Sequence, residues 1–318
     1  MIIGGLIGLI LGGEFLVRGS VALARKIGVS DLFIGAVLVG FGTSAPELVA
    51  SLNAVSSGSA GIAVGNVLGS NVANILLVLG AAAIIYPIAA NPKALARDGV
   101  FACLATIALI VLILTDGFMF RFVGIALFLA LVGIIIFSFI NDRKDGGQSD
   151  TAELHRDEAE VMDAHVPILI AIPMAIGGLL GIVLGAKFLI EGSVQLARLI
   201  GLSETVIGIT IIAIGTSLPE LVTCVMAALK KKPDVALGNV LGSNTFNVFG
   251  ILGVTSTIMP FDFPLDQISV PRDLGALAIS MALLMIFAFT GKRLGRWEGG
   301  ILLLGYVVYL VLLLNGPS

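Results

Sequence analysis

The chain states one unusual passage twice, 173 residues apart. Residues 42–49 read GTSAPELV and residues 215–222 read GTSLPELV; residues 65–74 read GNVLGSNVAN and residues 238–247 read GNVLGSNTFN. Upstream, Gly19-Ser20-Val21 matches Gly192-Ser193-Val194, and Leu23-Ala24-Arg25 matches Leu196-Ala197-Arg198. The copies align without a gap from about residue 12 to about residue 80, with nearly half the positions identical. A duplication this long requires two structurally related halves. Each half sets one carboxylate, Glu47 or Glu220, in an otherwise apolar stretch, where a charge is expensive.

Composition identifies the surrounding solvent. The chain is 58% hydrophobic and 12% charged, with a mean hydropathy of +1.10, against about 25% charged in soluble domains. A bilayer crossing needs ~20 apolar residues. Spans are expected near 1–24, 31–56, 61–87, 96–115, 119–140, 167–199, 204–229, 234–260, 272–290 and 299–315, which is five on each side of a central polar stretch. MIIGGLIGLILGGEFL at the start lacks a basic leader and a small-residue cleavage site, and it reappears as residues 174–189, so it reads as a retained span. Cys103 and Cys224 fall within expected spans and form no disulfide framework. The formal charge of −3 argues against a nucleic-acid partner.

Lysine and arginine in short loops report the cytoplasmic side. One side collects Arg25, Lys26, Lys93, Arg97, Arg143, Lys144, Arg156, Lys230, Lys231, Lys232, Lys292, Arg293 and Arg296, and the other only Arg121, Arg198 and Arg272. This bias puts residues 141–166 in the cytoplasm and both termini outside. Five spans is an odd number, so the second copy enters the membrane inverted relative to the first, the arrangement in which secondary transporters build a midplane site. The fold class expected is an all-α integral membrane protein of ten transmembrane helices in two inverted-topology five-helix repeats, 1–140 and 167–318, joined by a linker at 141–166. In that linker, Asp157, Glu158, Glu160 and Asp163 do not match an EF-hand loop and read as a solvated connector.

The repeated passage carries oxygen chemistry. Pro46 lacks an N–H and its ring crowds the turn before it, so a helix here breaks and frees the Gly42 carbonyl, with Gly40 and Gly42 loosening the backbone. Thr43, Ser44 and Glu47 then share one turn, and Gly215, Thr216, Ser217, Pro219 and Glu220 repeat the arrangement. In the next span Asn66, Ser70 and Asn74 lie along one helix face, with Gly65 and Gly69 as a small-xxx-small pair for close helix approach. Asn239, Ser243, Asn247, Gly238 and Gly242 are expected to do the same. Carboxylates, amides, hydroxyls and carbonyls suit a hard cation such as Ca²⁺; the absence of Cys and His from the motifs disfavours zinc or copper. Two glutamates neutralise one Ca²⁺, and the same oxygens regrouped with serines could hold several Na⁺. Glu14, Arg18, Lys187 and Glu191 are expected to snorkel or pair near span ends, and the Met and Phe residues to pack.

With these residues in view, the chain resembles the sodium/calcium exchangers of the cation/calcium antiporter superfamily, GTSAPE with GNVLGSNVAN being similar to the first alpha repeat and GTSLPE with GNVLGSNTFN to the second. The resemblance implies a calcium site at Glu47, Glu220, Thr43 and Thr216. It implies sodium sites at Ser44, Ser217, Ser70 and Ser243 with the backbone carbonyls of Gly40 and Ala213, and a centre completed by Asn74 and Asn247. It also implies that the first and sixth spans slide against the other eight, and both are Gly-rich, as suits a loosely packed sliding pair. Some relatives have Asp where this chain has Asn247, which argues against potassium dependence here. Related proton/calcium exchangers usually have Asn where this chain has Ser44 and Ser217, which favours sodium.

The expectation is a Ca²⁺/Na⁺ antiporter of the cell membrane, active as a monomer, with lipid and the two ions as its partners, no cofactor and no enzymatic activity. The alternatives are a Ca²⁺/H⁺ antiporter using the same glutamates and a cation channel built on the same oxygens.

Overall fold

The structure, a computed structural model, describes residues 1–26, 40–89, 95–115, 118–144, 166–201, 203–231, 233–263, 268–291 and 293–315. Its helices are α1 (Ile2–Lys26), α2 (Gly40–Thr43), α3 (Ala45–Ser56), α4 (Ala60–Ile85), α5 (Leu95–Leu114), α6 (Arg121–Lys144), α7 (Ile168–Ile200), α8 (Glu204–Thr216), α9 (Leu218–Leu229), α10 (Val235–Ile258), α11 (Pro271–Gly291) and α12 (Arg296–Asn315). Among the described residues eight helices are long and apolar enough to cross a membrane, and α8 with α9, bent by 44°, makes a ninth. The remaining expected span, 31–56, is described from Gly40 onward, as α2 and α3. Residues 145–165, with the acidic cluster of the linker, lie outside the described residues.

Two helices occupy the centre because their side chains are small. The cores of α4 and α10 are 78% and 83% buried, against 11% for α6. On α4, Gly65 and Gly69 admit the backbone of α8: a Cβ would stand 2.5 Å from the Thr205 carbonyl oxygen at Gly65 and 2.6 Å from that of Ile209 at Gly69. The matching expectation for α10 is corrected. No described residue lies within 4 Å of a Cβ at Gly242, which instead lines an apolar cavity of about 310 Å³ with Phe41, Phe101, Phe128 and Phe246. The outer helices turn large apolar residues such as Phe122, Leu129, Leu169 and Leu304 outward, a surface that lipid solvates and water would not.

Local irregularities recur in both halves. A π-helical turn opens at Asn74 (Asn74–Leu79) and again 173 residues later at Asn247 (Asn247–Leu252). Further π turns at Leu95–Gly99 and Val270–Leu274 are 175 residues apart. Two-residue strands follow the same offsets, β1 (Ile88–Ala89) to β3 (Phe261–Asp262) and β2 (Phe118–Met119) to β4 (Arg293–Leu294). The pairing crosses between halves: β1 runs antiparallel to β4 and β2 to β3. The π turns at Leu95 and Val270 carry neighbouring ion pairs, Arg97–Asp98 and Arg272–Asp273, each at 2.7 Å.

The α1–α7 pair departs from the loose packing expected. Gly5, Gly12 and Gly19 of α1 face the backbone of α7, and Gly178 and Gly185 return the contact. A Cβ at Gly12 would stand 2.7 Å from the Ile182 nitrogen and 2.8 Å from the Gly178 carbonyl oxygen. Glycine here brings two helices into backbone contact, as small residues do in membranes. The charged side chains pair within each helix as expected, Glu14 with Arg18 at 2.5 Å and Lys187 with Glu191 at 3.9 Å.

Candidate cation site

The helix breaks place the first ligands. Ser44, between α2 and α3, has φ −88° and ψ 4°; Ser217, between α8 and α9, has φ −83° and ψ 6°. Both lie in the bridge region between the helical and extended wells. Pro46 and Pro219 sit in the first turn of α3 and α9, where a missing N–H costs no helical bond. The break falls in the turn before each proline, where its ring was expected to crowd the helix, and the proline opens the next segment. Helix α1 lies across both breaks, with a Cβ at Gly13 3.5 Å from Pro46 Cγ and 3.8 Å from Pro219 Cγ.

The breaks cross-connect the copies. Ser44 Oγ donates to Glu220 Oε1 at 3.2 Å, and Ser217 Oγ donates to Glu47 Oε1 at 3.1 Å. Each serine thus serves the carboxylate of the other half. Ser243 Oγ lies 3.5 Å from Glu220 Oε1 and 3.4 Å from Ser44 Oγ. Thr216 Oγ1 donates to the Ile212 carbonyl at 3.0 Å, and Thr43 is fully buried. Glu47 and Glu220 are 0% and 1% exposed, deep enough that each needs a compensating charge or proton.

Several buried oxygens of the repeated motifs have no partner. Among the described residues Glu47 Oε2, Glu220 Oε2, Asn74 Oδ1, Asn247 Oδ1 and Ser70 Oγ are buried without a hydrogen-bond donor. Buried polar atoms are nearly always paired, so acceptors left open on both carboxylates and both amides are candidates to hold a cation. The other expected ligands are less direct. The Ala213 carbonyl already accepts from Ser217 N at 3.0 Å and Thr216 Oγ1 at 3.4 Å, and Gly40 opens α2 at the edge of the described residues.

The expected polar stripe divides. Asn66 turns from the carboxylate oxygens and ties the motif together: its Nδ2 donates to the Glu47 carbonyl at 3.2 Å and Ser51 Oγ at 3.0 Å, and its Oδ1 accepts from Thr216 Oγ1 at 3.0 Å. Asn239 accepts from Cys224 Sγ at 3.6 Å. Two residues that the motif spacing does not single out, Asn71 and Asn244, hold Asn247 and Asn74. They are neighbours of Ser70 and Ser243 in the repeated GSN triplet, and their identity in both copies is the signal that could have found them.

A cavity of about 270 Å³ between α1 and α9 is lined by Thr43, Pro219, Gly13, Glu14, Arg18 and Lys230.

The family model described as sodium/calcium exchanger protein matches residues 1–140 and 170–315. The sodium/calcium exchanger MaX1 of Methanosarcina acetivorans is 32% identical, over 97% of this chain and 96% of the relative. The inner membrane protein YrbG of Escherichia coli is 31% identical, over 98% and 95%. The solved structure of the sodium-calcium exchanger NCX_Mj soaked with 2.5 mM Na⁺ and 10 mM Sr²⁺ superposes with a TM-score of 0.64 at 32% identity, covering 98% of this chain and 96% of that one.

Proposed function

The chain belongs to the sodium/calcium exchanger family, a multi-span membrane protein, and from that membership we propose that it exports Ca²⁺ in exchange for incoming Na⁺ at one site. The carrying observation is the set of buried oxygens without donors on Glu47, Glu220, Asn74, Asn247 and Ser70. Two carboxylates balance one Ca²⁺, and the ligand types suit a hard cation. Ser44 and Ser217 touch both the helix breaks and the carboxylates, so sodium ions held there would draw on the oxygens that calcium needs. Shared ligands make the two occupancies compete, and competition between ions admitted from opposite sides is exchange.

The proposed architecture is ten spans in two inverted five-span repeats, 1–140 and 167–318, joined by a linker at 141–166. The strand pairing supports it. If β1 and β3 are counterparts on opposite faces, and β2 and β4 likewise, then β1 can meet only β4 and β2 only β3, as observed. The bias of the basic loops supports a linker in the cytoplasm and both termini outside. On that orientation the cavity that Lys230 lines opens inward, and calcium enters past α1 and α9.

A second reading, Ca²⁺/H⁺ exchange on the same glutamates, is favoured by the same open Oε2 atoms, since a proton also satisfies them. Uptake of ⁴⁵Ca²⁺ into proteoliposomes, with sodium, proton and potassium gradients imposed one at a time, separates the readings. The sodium gradient alone is expected to drive uptake. Uptake driven by protons and indifferent to sodium would overturn sodium coupling, and uptake needing no ion on the opposite side would indicate a channel.

A further inference from the structure

Four asparagines, each at most 1% exposed, bond to one another across the two halves: Asn71 and Asn74 on α4, Asn244 and Asn247 on α10. They occupy matching places in the two copies, yet their bonds do not match. Asn244 Nδ2 donates to the Asn71 backbone carbonyl at 3.1 Å. A carbonyl only accepts, so the amide of Asn244 can face only one way. Its Oδ1 is thereby presented to Asn74, whose Nδ2 donates to it at 3.0 Å. That bond turns Asn74 Oδ1 away, toward no donor. The polarity of Asn74 is thus set by a backbone atom two steps away along the hydrogen-bond chain.

The other half has no such anchor. Asn247 Nδ2 donates to Asn71 Oδ1 at 3.0 Å, but Asn71 Nδ2 has no partner among the described residues. Turning the Asn71 amide over exchanges its oxygen and nitrogen and sacrifices no existing second bond. Asn71 can therefore offer residue 247 either an acceptor or a donor.

We propose that Asn71 is a reversible hydrogen-bond relay and Asn244 a fixed one, so that position 247 can take a carboxylate as well as an amide while position 74 is held to an amide. Both are positioning residues, acting on the cation through Asn247 and Asn74. An aspartate at 247 meets a turned Asn71 that donates to it. An ionised aspartate at 74, the form that would hold a cation, meets Asn244 Oδ1, and turning Asn244 would only set that oxygen against the Asn71 carbonyl. Either way two acceptors face each other in a buried place, which is costly.

The inference rests on the proposed cation site, and its test compares two isosteric, equally charged substitutions. Asn74→Asp and Asn247→Asp are purified, checked for monodispersity, and assayed for the KM of ⁴⁵Ca²⁺ uptake and for the rise in melting temperature with Ca²⁺. Asn74→Asp is expected to weaken calcium affinity about tenfold more than Asn247→Asp. In an Asn71→Leu background the backbone carbonyl at position 71 still anchors Asn244, but position 247 loses its donor. Asn247→Asp should then cost about fivefold more than it does beside Asn71, since a charge-assisted bond is lost, a coupling read from the four-variant cycle. Equal effects of the two aspartates, or additivity of Asn71→Leu with Asn247→Asp, would overturn the relay. If Asn74→Asp does not fold, the cycle at 71 and 247 decides alone. Failure of the unsubstituted protein to bind or take up Ca²⁺ would instead refute the cation site.

Discussion

Glu47 and Glu220 cost the fold free energy wherever no ion or proton sits between them, and the side chains around them limit that cost without cancelling it. Each carboxylate receives a serine hydroxyl from the opposite copy and keeps one oxygen open. The serine steadies the carboxylate, and the open oxygen is left for the cation. A hydrogen bond to a charged group contributes about 1.5–3 kcal/mol. Ser44→Ala and Ser217→Ala should each lower apparent calcium affinity about tenfold or more, and raise the sodium concentration needed for half-maximal calcium release, both measured by ⁴⁵Ca²⁺ flux. Unchanged values for both ions would remove the serines from the site. The two substitutions should also resemble each other, because each acts on the other half's glutamate.

At the scale of elements, nearly every span is legible in the sequence because apolar length and glycine-rich composition are local properties. The described boundaries fall within a few residues of those expected. The carboxylates, the serines and Asn74 with Asn247 are legible too, since a polar residue inside a membrane span is costly and chance seldom repeats it at a fixed offset. What escapes are properties of pairs of helices. Asn71 and Asn244 repeat at the fixed offset, but their role shows only in their reach between α4 and α10, and the π turns at Asn74 and Asn247 leave no simple residue signature. The glycines of α1 and α7 read as looseness from sequence, whereas facing each other they form a backbone contact. Overfilling such a contact costs about 1–3 kcal/mol. Gly12→Leu or Gly178→Leu should lower the melting temperature and reduce transport, while Gly177→Leu, where a Cβ meets nothing within 4 Å, should leave stability unchanged. Equal effects at positions 177 and 178 would show that the α1–α7 contact is not close-packed.

For the whole molecule, the proposed function makes the duplication one ion site divided between two chain segments. Neither half holds a complete ligand set: Glu47 depends on Ser217, Glu220 on Ser44, and Asn74 and Asn247 on asparagines of the opposite copy. Two independent sites, one per repeat, would not need these cross-connections. The crossed pairing of β1 with β4 and β2 with β3 fastens the same two halves to each other outside the spans. The most direct measurement is equilibrium ⁴⁵Ca²⁺ binding to the purified protein and to its Glu47→Gln and Glu220→Gln variants. One Ca²⁺ per chain, with affinity reduced about a hundredfold or more (about 3 kcal/mol) by either substitution, is the result expected. Two ions per chain, or one ion still bound tightly after a single glutamate is replaced, would contradict a site shared between the halves.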